Sequence, residues 1–429
     1  MLVLTALLAV QTPQPAAAAP DTLPRVTLDE ALRRAANLDV AYVQAVGQQS
    51  SAEWGRRAAK LSFIMPSLTL SLDATKYSDP FFNVGTGGAQ DVSVTGRADA
   101  RLELFSVRRF AELGRTAAEV EEANAGVVDA QFDAALRTES EFYDVLANAE
   151  LHRVAEARVG RAEEALAVAR ARVVSGAAVQ SDSLQLLLEL TQARTDLLRQ
   201  RSALRVARLQ LGRRIGAPGA VDAAPVDTGP APPLPLDLEA ATALALDQGP
   251  QFRLARASER SAEAALRSRR GEYLPTIFLN GAHNRFDDGF FPGARSVSSL
   301  SLGVSFPVWN GAQREIGIAQ AAAQRDVARA IRSDIERGAR ADVTEAYEAY
   351  ETARETVTLH ETAVVVAREN YRVQEARYRA GAAEILDLLD AQVRLTQAEA
   401  NLVQARYATR LALAGLETIL GRRLFTETR

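Results

Sequence analysis

Cysteine is absent from the 429 residues. That excludes disulfides, thiolate metal sites, cysteine nucleophiles and a lipid anchor attached through an N-terminal cysteine. The three histidines, His152, His283 and His360, are scattered without ligand spacing. No nucleophile elbow, P-loop or dinucleotide fingerprint occurs, and Gly85-Thr86-Gly87-Gly88 follows no βαβ pattern and reads as a loop. Nothing supports an enzyme, a cofactor or an ATPase of the chain's own. Charge of one sign is lacking too: 50 basic against 54 acidic residues leave a formal net charge of −4, which is no nucleic-acid footprint. Outside the N-terminal run, no segment holds about 18 continuous apolar residues, so no membrane-spanning helix is expected, while a strand barrel stays open.

Proline is scarce where it matters. None of the 16 prolines falls between Phe81 and Ala217 or between Val308 and Arg429. Both stretches are rich in Ala, Leu, Glu, Arg and Gln, which are strong helix formers. Helices far longer than the globular average are expected there. At the N-terminus, an apolar core from Leu2 to Val10 precedes the small residues Ala16 to Ala19. Residues 1–20 read as a signal peptide without its usual basic start, the alternative being an Ala/Pro tail.

The chain repeats itself. Met65-Pro66 matches Leu274-Pro275, and Asp79-Pro80-Phe81-Phe82 matches Asp288-Gly289-Phe290-Phe291 at the same offset. Gly176-Ala177-Ala178 matches Gly381-Ala382-Ala383, and Thr191-Gln192-Ala193 matches Thr396-Gln397-Ala398. Two repeats, 21–216 and 237–429, are joined by a Pro-rich linker over 217–236. Each begins with a helical pattern, 28–61 and 238–271. Thr27 with Glu30 forms a candidate capping box for the first. Strand-period alternation follows over 67–75 and 91–104, then over 276–286 and 296–308. In the first hairpin Leu68, Leu70, Leu72, Leu102 and Leu104 share an apolar face, and Arg97, Asp99, Arg101 and Glu103 share a polar one.

Strands of this length suit a tilted membrane crossing, but four cannot close a barrel and open edges cannot sit in lipid. A membrane barrel would need several chains. The helices expected over 106–175 and 311–380 are each about 70 residues, or roughly 100 Å at 1.5 Å per residue. Each return helix, 177–215 or 382–420, stacked on one leading helix matches that length. A soluble hairpin packed on a core is the competing reading of the strands.

This plan resembles the TolC-type outer membrane efflux proteins. The resemblance rests on the duplicated helix–strand–strand–helix–turn–helix order, on Ile64-Met65-Pro66-Ser67-Leu68 and Tyr273-Leu274-Pro275-Thr276-Ile277 before the first strands, and on Tyr378-Arg379-Ala380-Gly381 running into Asp387-Leu388-Leu389-Asp390-Ala391-Gln392. The family's usual Asn-Pro in the leading helix is replaced by Asn37-Leu38 and Gly249-Pro250. The resemblance implies an α+β membrane protein: a homotrimer sharing a 12-strand β-barrel in the outer membrane, continuing into a long α-helical barrel across the periplasm. It implies a passive exit duct for efflux or type I secretion, working with a periplasmic adaptor and an inner-membrane transporter of the RND, ABC or MFS type. A periplasmic coiled-coil scaffold or adaptor without a barrel is the rival, and it has no need of four symmetrically placed strands.

The resemblance also implies roles for residues. Gly176, Ala177, Ala178, Gly381, Ala382 and Ala383 would form the periplasmic tips where the adaptor docks; helix-ending glycine alone is the simpler explanation. Asp387 and Asp390 would become carboxylate rings selecting cations at the entrance. Alternatively they favour the positive end of a helix, or Asp390 pairs with Arg394. Asp182 and Tyr378 would latch the entrance, loosened because Ala383 stands where an arginine is found in the family. Phe105 and Trp309 would anchor at the inner membrane interface or pack in a core. Phe81-Phe82 and Phe290-Phe291 would lie near the external loops.

Overall fold

The computed structural model describes residues 23–84, 87–226, 229–287 and 295–425. The leader expected over 1–20 and the Asp288-Gly289-Phe290-Phe291 motif lie outside the described residues. A two-residue strand, β1 (Arg25–Val26), precedes α1 (Leu28–Ala36) and α2 (Val40–Leu61). The hairpin β2 (Ser67–Asn83) and β3 (Gly88–Ser106) leads into α3 (Val107–Val174), which returns as α4 (Gln180–Arg214). After β4 (Asp222–Ala223) the order repeats: α5 (Leu238–Gln248), α6 (Pro250–Arg270), a 3₁₀ turn (Gly271–Tyr273), β5 (Thr276–Asp287), β6 (Arg295–Ser305), α7 (Gln313–Arg379) and α8 (Ile385–Leu420).

Local chemistry sets where these elements start and stop. The leading helices, expected unbroken over 28–61 and 238–271, are each split. At the first break Asp39 caps α2, its Oδ1 accepting from the Ala41 and Tyr42 amides at 3.0 and 3.1 Å. Its Oδ2 accepts from Arg214 Nη1 at 3.1 Å, so the break is tied to the far end of α4. At the second, Pro250 opens α6 at the first helical position, where its missing N–H costs nothing. The capping box is half formed: Thr27 Oγ1 accepts from the Glu30 amide at 3.4 Å, while the Glu30 carboxylate pairs with Arg34 instead. The return helices begin at Gln180 and Ile385, later than expected, because the tip alanines belong to the turns. Strand β6 stops at Ser305, short of 308, since Pro307 has no amide for the ladder. Helix α7 begins at Gln313 because Gly311 and Ala312 are left-handed, at φ 68° and 63°. Strand β2 runs on to Asn83 through Pro80, which an edge strand tolerates, and its register shifts between Lys76 and Phe81.

The four long strands form one antiparallel sheet in the order β2-β3-β5-β6, leaving β2 and β6 with open edges. Residues directly opposite share a face. Leu68 and Leu70 face Ala100 and Ala98 on β3; Leu279 lies between Leu102 and Leu302, and Gly281 between Ala100 and Leu300. The result is a continuous apolar band, with Leu68, Leu70, Leu300 and Leu302 exposed in the single chain. On the other face Arg97 Nε donates to Asn284 Oδ1 at 2.9 Å, and Arg101 lies over the Phe278 ring at 3.9 Å.

Helix α3 packs along α2 and α6 near the sheet and along α4 and α8 towards the turn; α7 packs along α6 and α8. The distal seam is built from Ala162, Ala165, Leu166 and Ala169 of α3, Leu186 and Leu190 of α4, and Ile385, Leu388, Ala391 and Leu395 of α8. The three-and-four spacing is that of coiled-coil packing, and the alanines let helices approach closely. The Pro-rich stretch is docked rather than free. β4 pairs in parallel with β1, and Tyr350 Oη and Tyr347 Oη donate to the Pro232 and Leu236 carbonyls at 2.6 and 3.2 Å. Proline supplies carbonyl acceptors here without amides that need partners.

Close by, Arg423 bridges the buried carboxylates of Glu139 and Glu417, and Glu417 Oε1 accepts from the Leu424 amide at 2.7 Å. Burial alone would lower the Arg423 pKa, but the two glutamates outweigh it and hold it above the usual value. Removing one partner of a buried ion pair strands the others. The Arg423 side chain is itself half-exposed, so Arg423→Ala is expected to cost about 2 kcal/mol in denaturant unfolding, whereas Arg394→Ala, at an exposed pair, is expected to cost less than about 0.5 kcal/mol.

Candidate functional site at the hairpin tips

Both tips are built alike. Gly176 and Gly381 adopt φ of 75° and 79°, the left-handed region that glycine enters without strain. In the first, the Gly176 amide donates to the Val173 carbonyl at 3.1 Å and the Ala177 amide to Arg172 at 2.8 Å. In the second, Gly381 donates to Tyr378 and Ala382 to Arg377 at the same distances. This paired six-to-one and five-to-two closure satisfies carbonyls that the helix ends leave open. Ala177 and Ala382 are exposed at the turns, with Ala178 and Ala383 half-buried beside them.

An arginine stitches the two tips together, and the sequence reading missed it. Arg172 Nη1 donates to the Tyr378 carbonyl at 2.6 Å, Nη2 to the Ala177 carbonyl at 3.2 Å, and the guanidinium lies 4.7 Å from the Tyr378 ring centre. Its counterpart Arg377 caps its own turn in the same way, donating to the Ala382 carbonyl at 3.2 Å. The signal was available: the two arginines stand at the same distance before the two glycines.

The predicted latch is not closed as a hydrogen bond. Tyr378 is 1% exposed, and its hydroxyl makes no hydrogen bond of ordinary geometry. Burial pushes its pKa up, the charge of half-buried Asp182 adds to the rise, and Arg172 works against it. Asp182 is thus an electrostatic neighbour of the ring, and Arg172 makes the direct contact.

Asp387 and Asp390 both lie on the exposed side of α8, opposite the buried row of Ile385, Leu388, Ala391 and Leu395. Asp390 Oδ2 accepts from Arg394 Nε at 2.7 Å, a pair local to one turn of α8. Gln392, one residue past the buried Ala391, is 0% exposed with neither amide atom bonded.

A second pair of arginines marks the other end of the helices. Arg109, buried, donates to the Glu103 and Ser62 carbonyls and lies 3.9 Å from the Phe63 ring centre. Arg314, also buried, donates to the Pro307 carbonyl at 3.0 Å and lies 3.8 Å from the Tyr273 ring centre. Each guanidinium holds the end of a strand against the end of a leading helix. The Phe110 ring centre lies 5.1 Å from that of Phe63 and 6.1 Å from that of Phe105, and Trp309 is exposed between β6 and α7. Phe81 packs on Tyr77 at 4.3 Å, while Phe82 is exposed. Among the described residues, no group of three or more His, Asp or Glu is arranged to hold a metal ion, and no helix is long and apolar enough to cross a membrane.

The described residues form a four-stranded sheet with one apolar face and two open edges, from one end of which run helices of roughly 100 Å. Over its second repeat the chain resembles the TolC-type outer membrane efflux proteins in sequence, and over its whole length it shares the fold of solved outer membrane channels. The sequence model of the outer membrane efflux protein family matches residues 242–422. Protein CyaE of Bordetella pertussis is 30% identical over 209 residues, 46% of this chain and 44% of that protein. Outer membrane efflux protein BepC of Brucella suis is 26% identical over 191 residues, 44% of this chain and 42% of that protein. The matches span under half the length of either relative. The CmeC outer membrane channel of Campylobacter jejuni shares the fold with a TM-score of 0.77 and 12% identity, over 94% of this chain and 87% of that one.

Buried polar atoms without partners gain nothing from being polar. Gln392→Leu and Tyr378→Phe are each expected to leave thermal stability unchanged or raise it by up to about 1 kcal/mol. Arg172→Ala is expected to lower it by about 1–2 kcal/mol. A clear loss of melting temperature in Tyr378→Phe would show that its hydroxyl has a partner.

Proposed function

We propose that three copies of this chain form the outer membrane exit duct of a tripartite efflux or type I secretion system. Three four-stranded sheets close one 12-strand barrel, and the helices close a tunnel across the periplasm. The observation that carries this is the sheet itself: its apolar face suits lipid, yet its β2 and β6 edges are open. Such edges are admitted to hydrocarbon only when another strand pairs with them. A scaffold without a barrel has no use for this sheet, which favours the channel.

Transport through the duct is passive. Selection and energy come from an inner-membrane transporter of the RND, ABC or MFS type, coupled through a periplasmic adaptor whose helical hairpin docks at Gly176, Ala177, Ala178, Gly381, Ala382 and Ala383. Exposed small residues at both tips support that contact, because they let a partner helix approach closely. Threefold symmetry turns Asp387 and Asp390 into two carboxylate rings at the entrance. Their exposed face supports a place in the bore, where charge is solvated and can select cations. Asp182 and Tyr378 guard the closed entrance, with Asp182 acting through charge across the ring that Arg172 holds. Phe105 and Trp309 mark the inner interface of the lipid belt.

Planar-bilayer conductance tests the assignment. The wild-type chain is expected to conduct with cation preference and to be blocked by multivalent cations. Asp387→Ala with Asp390→Ala is expected to abolish the block and lower the selectivity. Unchanged selectivity and block in that double variant would remove the rings, and the absence of any conductance by the wild-type chain would remove the duct.

A further inference from the structure

The internal duplication supplies a ruler for the contact between copies. Pro66 and Pro275 stand immediately before β2 and β5, so Ser67 answers to Thr276. Arg101 lies opposite Ser67, and Ser305 lies opposite Thr276. The two hairpins therefore share one register, and Arg101 answers to Ser305. Within the chain, β3 pairs with β5, placing Ala100 opposite Gly281 and Ala98 opposite His283. That junction joins the second strand of one repeat to the first strand of the other. The open edges belong to the same two kinds of strand: β6 is a second strand and β2 a first.

We propose that β6 pairs with β2 of a second copy in the register of the β3–β5 junction, with Val304 opposite Leu72, Leu302 opposite Ala74 and Leu300 opposite Lys76. The proposal rests on the assembly of copies proposed above and fixes which residues meet in it. Two checks support it. The first is parity. Val304, Leu302, Leu72 and Ala74 all lie on the apolar face, and this register joins them. Ser305, Gly303 and Ser301 meet Ser71, Asp73 and Thr75 on the polar face. A slip of one residue would set leucines against the charged face, which is the cost that fixes register in a two-faced sheet.

The second check comes from the helices. Where α3 meets α6 within the chain, a Cβ on Gly126 would lie 3.8 Å from Leu254 Cδ1. Aligned on the tip glycines, Gly126 answers to Ile331 of α7; aligned on the prolines, Leu254 answers to Ala45 of α2. The contact between copies thus sets a large residue of α7 against a small one of α2, the reverse of the contact within the chain. Filled volume is kept, and Ile331, exposed in the single chain, gains cover. At the same place the alignment also matches the two strand-end arginines, Arg109 and Arg314.

Because the chain has no cysteine, introduced thiols report cleanly. Directly opposed antiparallel residues hold their Cα atoms about 4.5–5.5 Å apart, inside disulfide range, whereas a two-residue slip carries them beyond about 7 Å. Val304→Cys with Leu72→Cys, oxidised with copper phenanthroline in membranes, is expected to give a covalent dimer and trimer ladder. The slipped pairs, Leu302→Cys with Leu72→Cys and Val304→Cys with Ala74→Cys, and each single variant, are expected to give none. A ladder from a slipped pair instead, or no ladder from any pair in a particle that native mass spectrometry shows to be trimeric, overturns the register. A particle containing one chain only overturns the assembly as well.

Discussion

An unpaired strand edge cannot lie in hydrocarbon. Its amides and carbonyls have no water to turn to, and each unsatisfied group costs several kcal/mol. Much of this molecule follows from that constraint. The four-stranded sheet has one apolar face and one polar face, but β2 and β6 are left open. A chain shaped in this way suits one sector of the proposed ring. In the proposed assembly the exposed leucines of the sheet face lipid, and the exposed apolar residues of α4 and α7, such as Leu188, Leu198, Leu359 and Val366, are available to neighbouring helices of the next copy.

The helical part answers a different demand, that of holding long helices side by side without a globular core. Alanines at the contact positions of α3 allow close approach, and leucines from α4 and α8 fill the seam. The ends are fixed by cations. Arg109 and Arg314 bind strand ends to leading helices, and Arg172 ties one tip to the other. An arginine suits these places because one planar group can serve two carbonyls while its face covers an aromatic ring. Arg377, the counterpart of Arg172, reaches Gln374 and its own turn within the chain, whereas Arg172 reaches both tips.

Much of this architecture is legible in the sequence, because it rests on periodicity and duplication. Proline-free stretches mark the long helices, the alternation around Leu70 and Arg101 marks the strands, and the paired glycines mark the turns. Breaks and contacts were harder to read. The interruption at Asp39 depends on Arg214, far along the chain, which no local pattern reveals. The Tyr378 hydroxyl resembles a latch in sequence, yet burial leaves it without a bond and Arg172 takes the contact. Asp390 meets Arg394 one turn away, so its role in a bore depends on symmetry that a single chain does not contain.

The proposed duct requires the β2 and β6 edges to be paired in the membrane. Amide hydrogen exchange in lipid nanodiscs tests it directly, because exchange reads the hydrogen bonding of each edge amide. Amides of β2 around Leu70 to Ala74 and of β6 around Leu300 to Val304 are expected to be as protected as those of the central strands β3 and β5. Fast exchange along both edges, beside slow exchange in β3 and β5, would contradict it.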